Sequence, residues 1–200
     1  MARIERDFLG EKELPDSAYY GVQTLRGMEN FHITGIPMST EPYFVKAFGY
    51  VKKAAALANR DLGVLDARIA EAIAAACDRL IAGEMREQFV TDFIQGGAGT
   101  STNMNANEVI ANLALERLGH QKGEYQYVSP NDHVNFGQST NDVYPTAFRL
   151  ALILRLGSYM DALRHLQDAF FAKGKEFEKV LKMGRTHLQD AVPMSLGQEF

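Results

Sequence analysis

The stretch Ser139–Val180, STNDVYPTAFRLALILRLGSYMDALRHLQDAFFAKGKEFEKV, decides the fold class of this chain. Large apolar residues recur in it at spacings of four and three residues, as on one face of a helix. The residues that define this face are Leu156, Met160, Leu163, Phe170 and Phe177. Because no proline follows Pro145 in this stretch, the spacing predicts one continuous helix that reaches about Val180.

The predicted length of this helix has a consequence for assembly. At 1.5 Å per residue it would span roughly 60 Å. A compact globule of 200 residues is only about 40 Å across. A projecting helix with apolar side chains over much of its surface needs partners to cover it. The sequence therefore predicts a bundle-type oligomer.

The rest of the chain is also predicted to be helical. The first 40 residues contain several glycines and prolines and are expected to be an irregular lead-in. Helices are expected from about Thr40 to Asn59, from Asp66 to just before Gly83, and from the polar stretch after Gln95 to Gly119. The predicted fold is therefore all-α, with a small helical domain over 1–138 followed by the start of a long-helix bundle over 139–200.

Composition narrows the classes of function. With 46% hydrophobic and 23% charged residues, the chain has the composition of a folded globular protein. Its net charge of −4 and the lack of dense Lys/Arg runs argue against nucleic-acid binding. No apolar run approaches the roughly 20 residues that cross a bilayer. The lone Cys77 cannot form an internal disulfide, so a cytoplasmic location is expected.

Three clusters of hydroxyl and amide side chains are the candidates for chemistry. They are GTSTN at 99–103, QSTND at 138–142 and GRTH at 184–187. The first two lie where a predicted helix begins, so side-chain donors and free backbone N–H groups meet the positive end of the helix dipole. That arrangement suits a carboxylate ligand. Any one cluster alone is more often only a helix cap, and the three together shift the balance modestly towards a binding site.

Other common site types have no sequence support. Neither HExxH nor paired CxxC spacing is present, so no metal site is predicted. The glycines at 96–99 follow no predicted strand and are not closed by a lysine, so no nucleotide cofactor is predicted either. Acid/base chemistry on a small anionic substrate remains the open possibility.

Several stretches together resemble one known family. They are YYGVQT (19–24), GAGTSTNMNANE (97–108), PNDHVN (130–135), QSTND (138–142), GRTHLQDAVPM (184–194) and GQEF (197–200). These motifs closely resemble the aspartase/fumarase superfamily across nearly the whole chain. Within it, Thr140 favours the ammonia-lyases that act on aspartate, because class II fumarases usually carry a second serine there. The stretch DFLGEKE (7–13) points the same way.

The resemblance implies a mechanism and roles for particular residues. Aspartate would lose ammonia to give fumarate, after proton abstraction at Cβ and through a carboxylate dianion. Thr100, Ser139 and Thr140 would hold the β-carboxylate. Asn141 would hold the amino group with help from Thr100 and His187, and Thr186 would face the α-carboxylate. His187 would act at the reacting centre as a binding group and not as the base.

The resemblance also implies an assembly and an incomplete site. The superfamily forms homotetramers in which three subunits build each active site. Its proton-abstracting serine, with the lysine and asparagine that follow it, lies on a Gly-Ser-Ser loop beyond Phe200, so this chain alone is expected to be inactive. Ser129 departs from the histidine usual in fumarases. The alternatives are a class II fumarase and a non-catalytic relative or fragment.

Overall fold

The computed structural model describes residues 2–200, which divide into two compact units, one up to Leu154 and one over Arg155–Phe200. The predicted domain boundary after residue 138 stays a prediction. The elements in chain order are β1 (Ala2–Asp7), β2 (Gly10–Pro15), α1 (Val22–Asn30), α2 (Pro42–Asp61), α3 (Ala67–Ile81), α4 (Thr100–Arg117), α5 (Thr140–Glu176), β3 (Leu181–Thr186), β4 (Gln189–Ser195) and α6 (Leu196–Glu199).

The core of the first unit lies among α2, α3 and α4. Pro42 occupies the first turn of α2, where its missing N–H costs nothing. Asp66 caps α3 by accepting from the backbone N–H groups of Arg68 and Ile69. Gly49 lets α2 approach α3, because a Cβ there would lie 2.9 Å from Ile81 Cγ1. The helices predicted in this region are confirmed to within a few residues.

The prediction of an all-α chain is wrong. The strands β1 and β2 form an antiparallel hairpin from the Ala2–Pro15 pair to the Asp7–Gly10 pair, and β3 and β4 form a second one. In the first hairpin the buried side chains are Glu5 and Leu14, so no apolar alternation marks the strands. The second hairpin contains Pro193, which is unusual within a strand, and its pairing is irregular between Met183 and Arg185, so no regular strand pattern marks it in the sequence.

Two buried carboxylates anchor the N-terminus of α1. Glu108 of α4 accepts from the backbone N–H groups of Gly21, Gln23 and Thr24 at 2.9 to 3.0 Å, and from the Thr24 hydroxyl at 2.5 Å. Glu5 accepts from the Val22 N–H at 2.9 Å. Burial raises the pKa of Glu108 to about 7, although its hydrogen bonds favour the ionised form. These contacts fix α1 against α4.

The second unit consists of the later part of α5 and the β3–β4 hairpin with α6. The helix ends at Glu176, slightly before the predicted Val180. Large apolar side chains along it are exposed in this chain, among them Leu156, Tyr159, Leu166 and Phe171. Ser195 and Gln198 form a reciprocal capping box that starts α6. No helix in residues 2–200 combines the length and apolar character needed to cross a membrane.

Candidate active site

Ser139 begins α5 and caps it. Its hydroxyl oxygen accepts from the Asn141 N–H at 3.1 Å, and its carbonyl accepts from Asp142 and Val143. The side chain is exposed. Because the oxygen serves the cap as an acceptor, the hydroxyl proton remains available to an anion. The predicted cap and the predicted donor are thus compatible in one residue.

The start of α4 is an unusual turn. Three successive residues, Gly97, Ala98 and Gly99, have positive φ angles of 68°, 54° and 92°. The side chain of Gln95 holds the turn against α4, accepting from the Thr102 N–H at 2.7 Å and donating to its hydroxyl. The Thr100 hydroxyl donates to the Gly97 carbonyl at 2.5 Å. To donate to a substrate, Thr100 must therefore rotate away from this contact.

Gly99 supports a sharp prediction about this turn. Its φ of +92° suits glycine, and a Cβ at this position would overlap the Tyr144 ring. Gly99→Ala should lower the free energy of unfolding by about 2 to 4 kcal/mol, as backbone strain and overpacking add. Gly119→Ala is the matched control, because Gly119 has a φ of +86° but open space around it. Equal losses in the two variants, measured by denaturant unfolding, would contradict the predicted overlap.

The starts of α4 and α5 meet at a cleft of about 430 Å³. The residues that line it are Phe93, Ile94, Gln95, Ala98, Gly99, Asn141, Tyr144 and Pro145. Thr100 instead lines a second cleft of about 340 Å³, together with Ser101 and Arg26. The structure therefore brings Asn141 to the α4 turn, while the Thr100 side chain lines the other side of that turn.

Thr140 is linked through Asn103 and Asn135 to Lys52, a residue that lies in none of the motifs identified in the sequence. Asn103 Nδ2 donates to Thr140 Oγ1 at 3.2 Å and to Asn135 Oδ1 at 3.1 Å. Lys52 Nζ donates to Asn135 Oδ1 and to Gln138 Oε1, both at 2.9 Å. Lys52 lies four residues after the buried Phe48 in α2, so it falls on the apolar face of that helix. This position was the one sign in the sequence that the lysine is buried.

The buried Lys52 gives stability a pH dependence. Burial lowers the pKa of Lys52 from its usual 10.5 to about 7. Above pH 7 the unfolded chain holds more protons than the folded one at this residue, so stability should rise with pH. We expect Lys52→Met to flatten the rise in unfolding free energy between pH 7 and pH 8.5 by up to about 2 kcal/mol. Lys53→Met should keep the wild-type slope, and an unchanged slope in Lys52→Met would contradict the assignment.

Thr186 and His187 belong to the second unit, at the turn of the β3–β4 hairpin. Thr186 pairs with Gln189, which leaves His187 and Leu188 as a two-residue loop. Both loop residues have positive φ, 51° and 62°, as in a type I′ turn. Asparagine and glycine favour such turns, whereas His187 and Leu188 occupy this one, so no turn signal marked the hairpin in the sequence. Leucine is strained at positive φ, so the pairing of β3 with β4 holds Leu188 in this conformation.

The titratable side chains in the described part of the chain do not form a metal-binding site. Within residues 2–200, no group of three or more His, Cys, Asp or Glu side chains is placed to hold a metal ion. The hydroxyl and amide side chains at the starts of α4 and α5 are donors suited to carboxylate oxygens.

Helix starts that carry hydroxyl and amide donors are suited to binding a carboxylate. The family model described as a lyase matches residues 10–200, so the chain belongs to the lyase family. The resemblance seen in the sequence is confirmed. Over 198 residues the chain is 60% identical to an aspartate ammonia-lyase of Helicobacter pylori, covering 99% of this chain and 42% of the relative. It is 57% identical to the aspartate ammonia-lyase of Escherichia coli, with the same coverage.

Solved structures give the same result for the fold. The "fumarate lyase:delta crystallin" of Brucella melitensis in its native form has a TM-score of 0.89 at 57% identity, over 100% of this chain and 46% of that one. A class II fumarase from Schistosoma mansoni has a TM-score of 0.84 at 39% identity, over 100% of this chain and 42% of that one. The chain spans about two fifths of the length of the curated relatives it matches.

Proposed function

We propose that this protein is an aspartate ammonia-lyase, which eliminates ammonia from L-aspartate to give fumarate. The observation that carries the proposal is the 60% identity to a protein of that name, which extends over 99% of this chain. The lower identity of 39% to a class II fumarase favours the ammonia-lyase over the hydratase. The hydroxyl and amide groups at the starts of α4 and α5 supply the donors that the reaction needs.

The proposed mechanism uses these donors to stabilise charge. Removal of a Cβ proton moves the C–H electron pair onto the adjoining β-carboxylate, which becomes a dianion. Ser139 and Thr140, with Thr100 after rotation, donate hydrogen bonds to its oxygens. The electron pair then forms the Cα–Cβ double bond as the C–N bond breaks and ammonia leaves. Asn141 holds the amino group, and the base is the serine that the family resemblance places beyond Phe200.

We propose that Thr186 and His187 also bind the substrate, in a site to which different subunits contribute. The resemblance gives Thr186 the α-carboxylate and His187 a role in binding the substrate. We further propose a homotetramer in the cytoplasm, with each site shared by three subunits. The apolar side chains exposed along α5, including Leu156 and Phe171, support burial by other copies.

The test of this proposal uses the native-length protein, which is the protein at the length that its own gene encodes. Incubated with L-aspartate, it should form fumarate and ammonia in equal amounts, followed by fumarate absorbance and an ammonia assay. The isolated chain of residues 1–200 should form neither, because it lacks the proposed base. Absence of fumarate from the native-length protein would overturn the proposal.

His187 provides a further prediction within this function. His187→Ala in the native-length protein should raise KM for aspartate and retain measurable turnover, because the side chain binds the substrate and does not remove the proton. His165→Ala is the control, since His165 is exposed on α5 and has no role in the proposed site. Complete loss of turnover with unchanged substrate binding would make His187 an essential acid or base.

A further inference from the structure

Lys52 is a buried amine for which the proposed mechanism has no role. Lys52 belongs to α2, and its side chain is wholly buried. Among residues 2–200 no carboxylate lies within ion-pair distance of its Nζ, and its hydrogen-bond partners are the side-chain oxygens of Asn135 and Gln138. An unpaired buried ammonium costs free energy that a methionine of similar size would avoid. A purely space-filling role therefore does not explain a lysine here.

The partners of Lys52 lie immediately before the start of α5. Asn135 Nδ2 donates to the Gln138 carbonyl at 3.2 Å, and Gln138 Nε2 donates to the Val134 carbonyl at 2.9 Å. These bonds leave both side-chain oxygens as acceptors, and Lys52 supplies a donor to each. A neutral amine still has two N–H donors, so the arrangement persists in either charge state. Lys52 thus fixes the turn that delivers Ser139.

The same network continues to the Thr140 hydroxyl. Asn103 Nδ2 donates to the Asn135 oxygen that Lys52 also contacts, and to Thr140 Oγ1. A hydroxyl whose oxygen accepts from an amide keeps its own proton for another acceptor. Asn103 therefore commits Thr140 to act as a donor, and Lys52 holds the Asn135 amide against which Asn103 is oriented.

We infer that Lys52 is a positioning residue, which acts through Asn135, Gln138 and Asn103 to set the Ser139 and Thr140 hydroxyls as donors to the substrate carboxylate. This inference rests on the proposed function. Lys52 is not a catalytic residue, since within residues 2–200 the hydrogen bonds of its Nζ go to the Asn135 and Gln138 amides behind the helix start. Small displacements of the groups that contact a substrate have large effects on the reaction rate. Removing the Lys52 amine should therefore lower kcat.

The experiment compares Lys52→Met with Lys53→Met in the native-length protein. Lys53 is the next residue in α2 and makes a partly exposed ion pair with Asp78 at 2.6 Å. Lys52→Met should lower kcat for aspartate by about tenfold or more, with the thermal midpoint unchanged or raised, because a buried charge is removed. Lys53→Met should keep the wild-type kcat. Equal kcat in the two variants would overturn the inference, and Lys52→Gln is used if Lys52→Met does not fold.

A double-variant cycle tests whether Lys52 acts through Thr140. In a Thr140→Val background the donor hydroxyl is already gone, so adding Lys52→Met should lower kcat much less than it does in the wild type. A purely structural loss would give the same factor in both backgrounds. Full additivity would therefore overturn the inference.

A third readout does not depend on turnover. Amide hydrogen exchange over residues 135–143 should be faster in Lys52→Met than in Lys53→Met, because the turn before α5 loses its support. Equal exchange in the two variants would overturn the inference whatever the enzyme activity. If the wild type forms no fumarate, the proposed function fails, while the exchange experiment still decides whether Lys52 fixes the start of α5.

Discussion

Ser139→Ala in the native-length protein should lower kcat for aspartate by about a hundredfold or more. The lost hydroxyl is a donor to the carboxylate on which charge accumulates, and one such donor contributes about 3 kcal/mol to the stabilisation of a transition state. The same hydroxyl accepts from the Asn141 N–H, so the variant also loses a helix cap. That second loss costs about 1 kcal/mol of stability. The kinetic effect should therefore exceed the effect on stability.

Ser129→Ala is the matched control for this prediction. Ser129 also caps a short helical segment, because its hydroxyl accepts from the Asp132 N–H at 3.0 Å. It lies outside the proposed donor set, so its variant should lose stability and keep kcat close to the wild-type value. A Ser139→Ala variant with wild-type kcat and a lowered thermal midpoint would show that Ser139 only caps α5.

Glu108→Ala should lower the free energy of unfolding by about 3 kcal/mol or more. The variant removes the acceptor for three backbone N–H groups and the Thr24 hydroxyl at the start of α1. Buried donors that lose their partner cost about 1 to 3 kcal/mol each, partly offset because a buried carboxylate is removed as well. The lead-in β1–β2–α1 should detach first, visible as increased proteolysis before Val22.

The control for Glu108 lies on the same helix. Glu116 is exposed near the end of α4, and within residues 2–200 its side chain accepts a hydrogen bond from the Tyr19 hydroxyl alone. Glu116→Ala should change the free energy of unfolding by less than about 1 kcal/mol. Denaturant midpoints at constant m value provide the measurement. Equal losses in the two variants would mean that the anchoring of α1 does not depend on Glu108.

Local signals in the sequence predicted α2, α3, α4 and α5, but α1 lies in the stretch expected to be an irregular lead-in, and α6 was not predicted. Pro42 and Asp66 mark the beginnings of α2 and α3, and Ser139 marks that of α5, because each acts on the first turn beside it. Such features depend on a few neighbouring residues and are readable in a single chain. The polar cluster that begins α4 was readable for the same reason.

The missed features depend on contacts between distant residues. Glu5 is the buried residue of β1, and it is stabilised there by partners such as the Val22 N–H and Arg3. Lys52 donates hydrogen bonds to Asn135 and Gln138, which are distant from it in the sequence, and no local sequence pattern predicts that contact. The rotation of the Thr100 hydroxyl towards Gly97 depends on backbone angles that only the folded turn has.

The most direct test of the proposed function compares two substrates in the native-length protein. L-aspartate and L-malate are supplied separately, and kcat/KM for fumarate formation is measured for each under the same conditions. We expect fumarate from aspartate and none above background from malate, because Asn141 and His187 are proposed to hold an amino group. Fumarate from malate with none from aspartate would contradict the account and identify a fumarase.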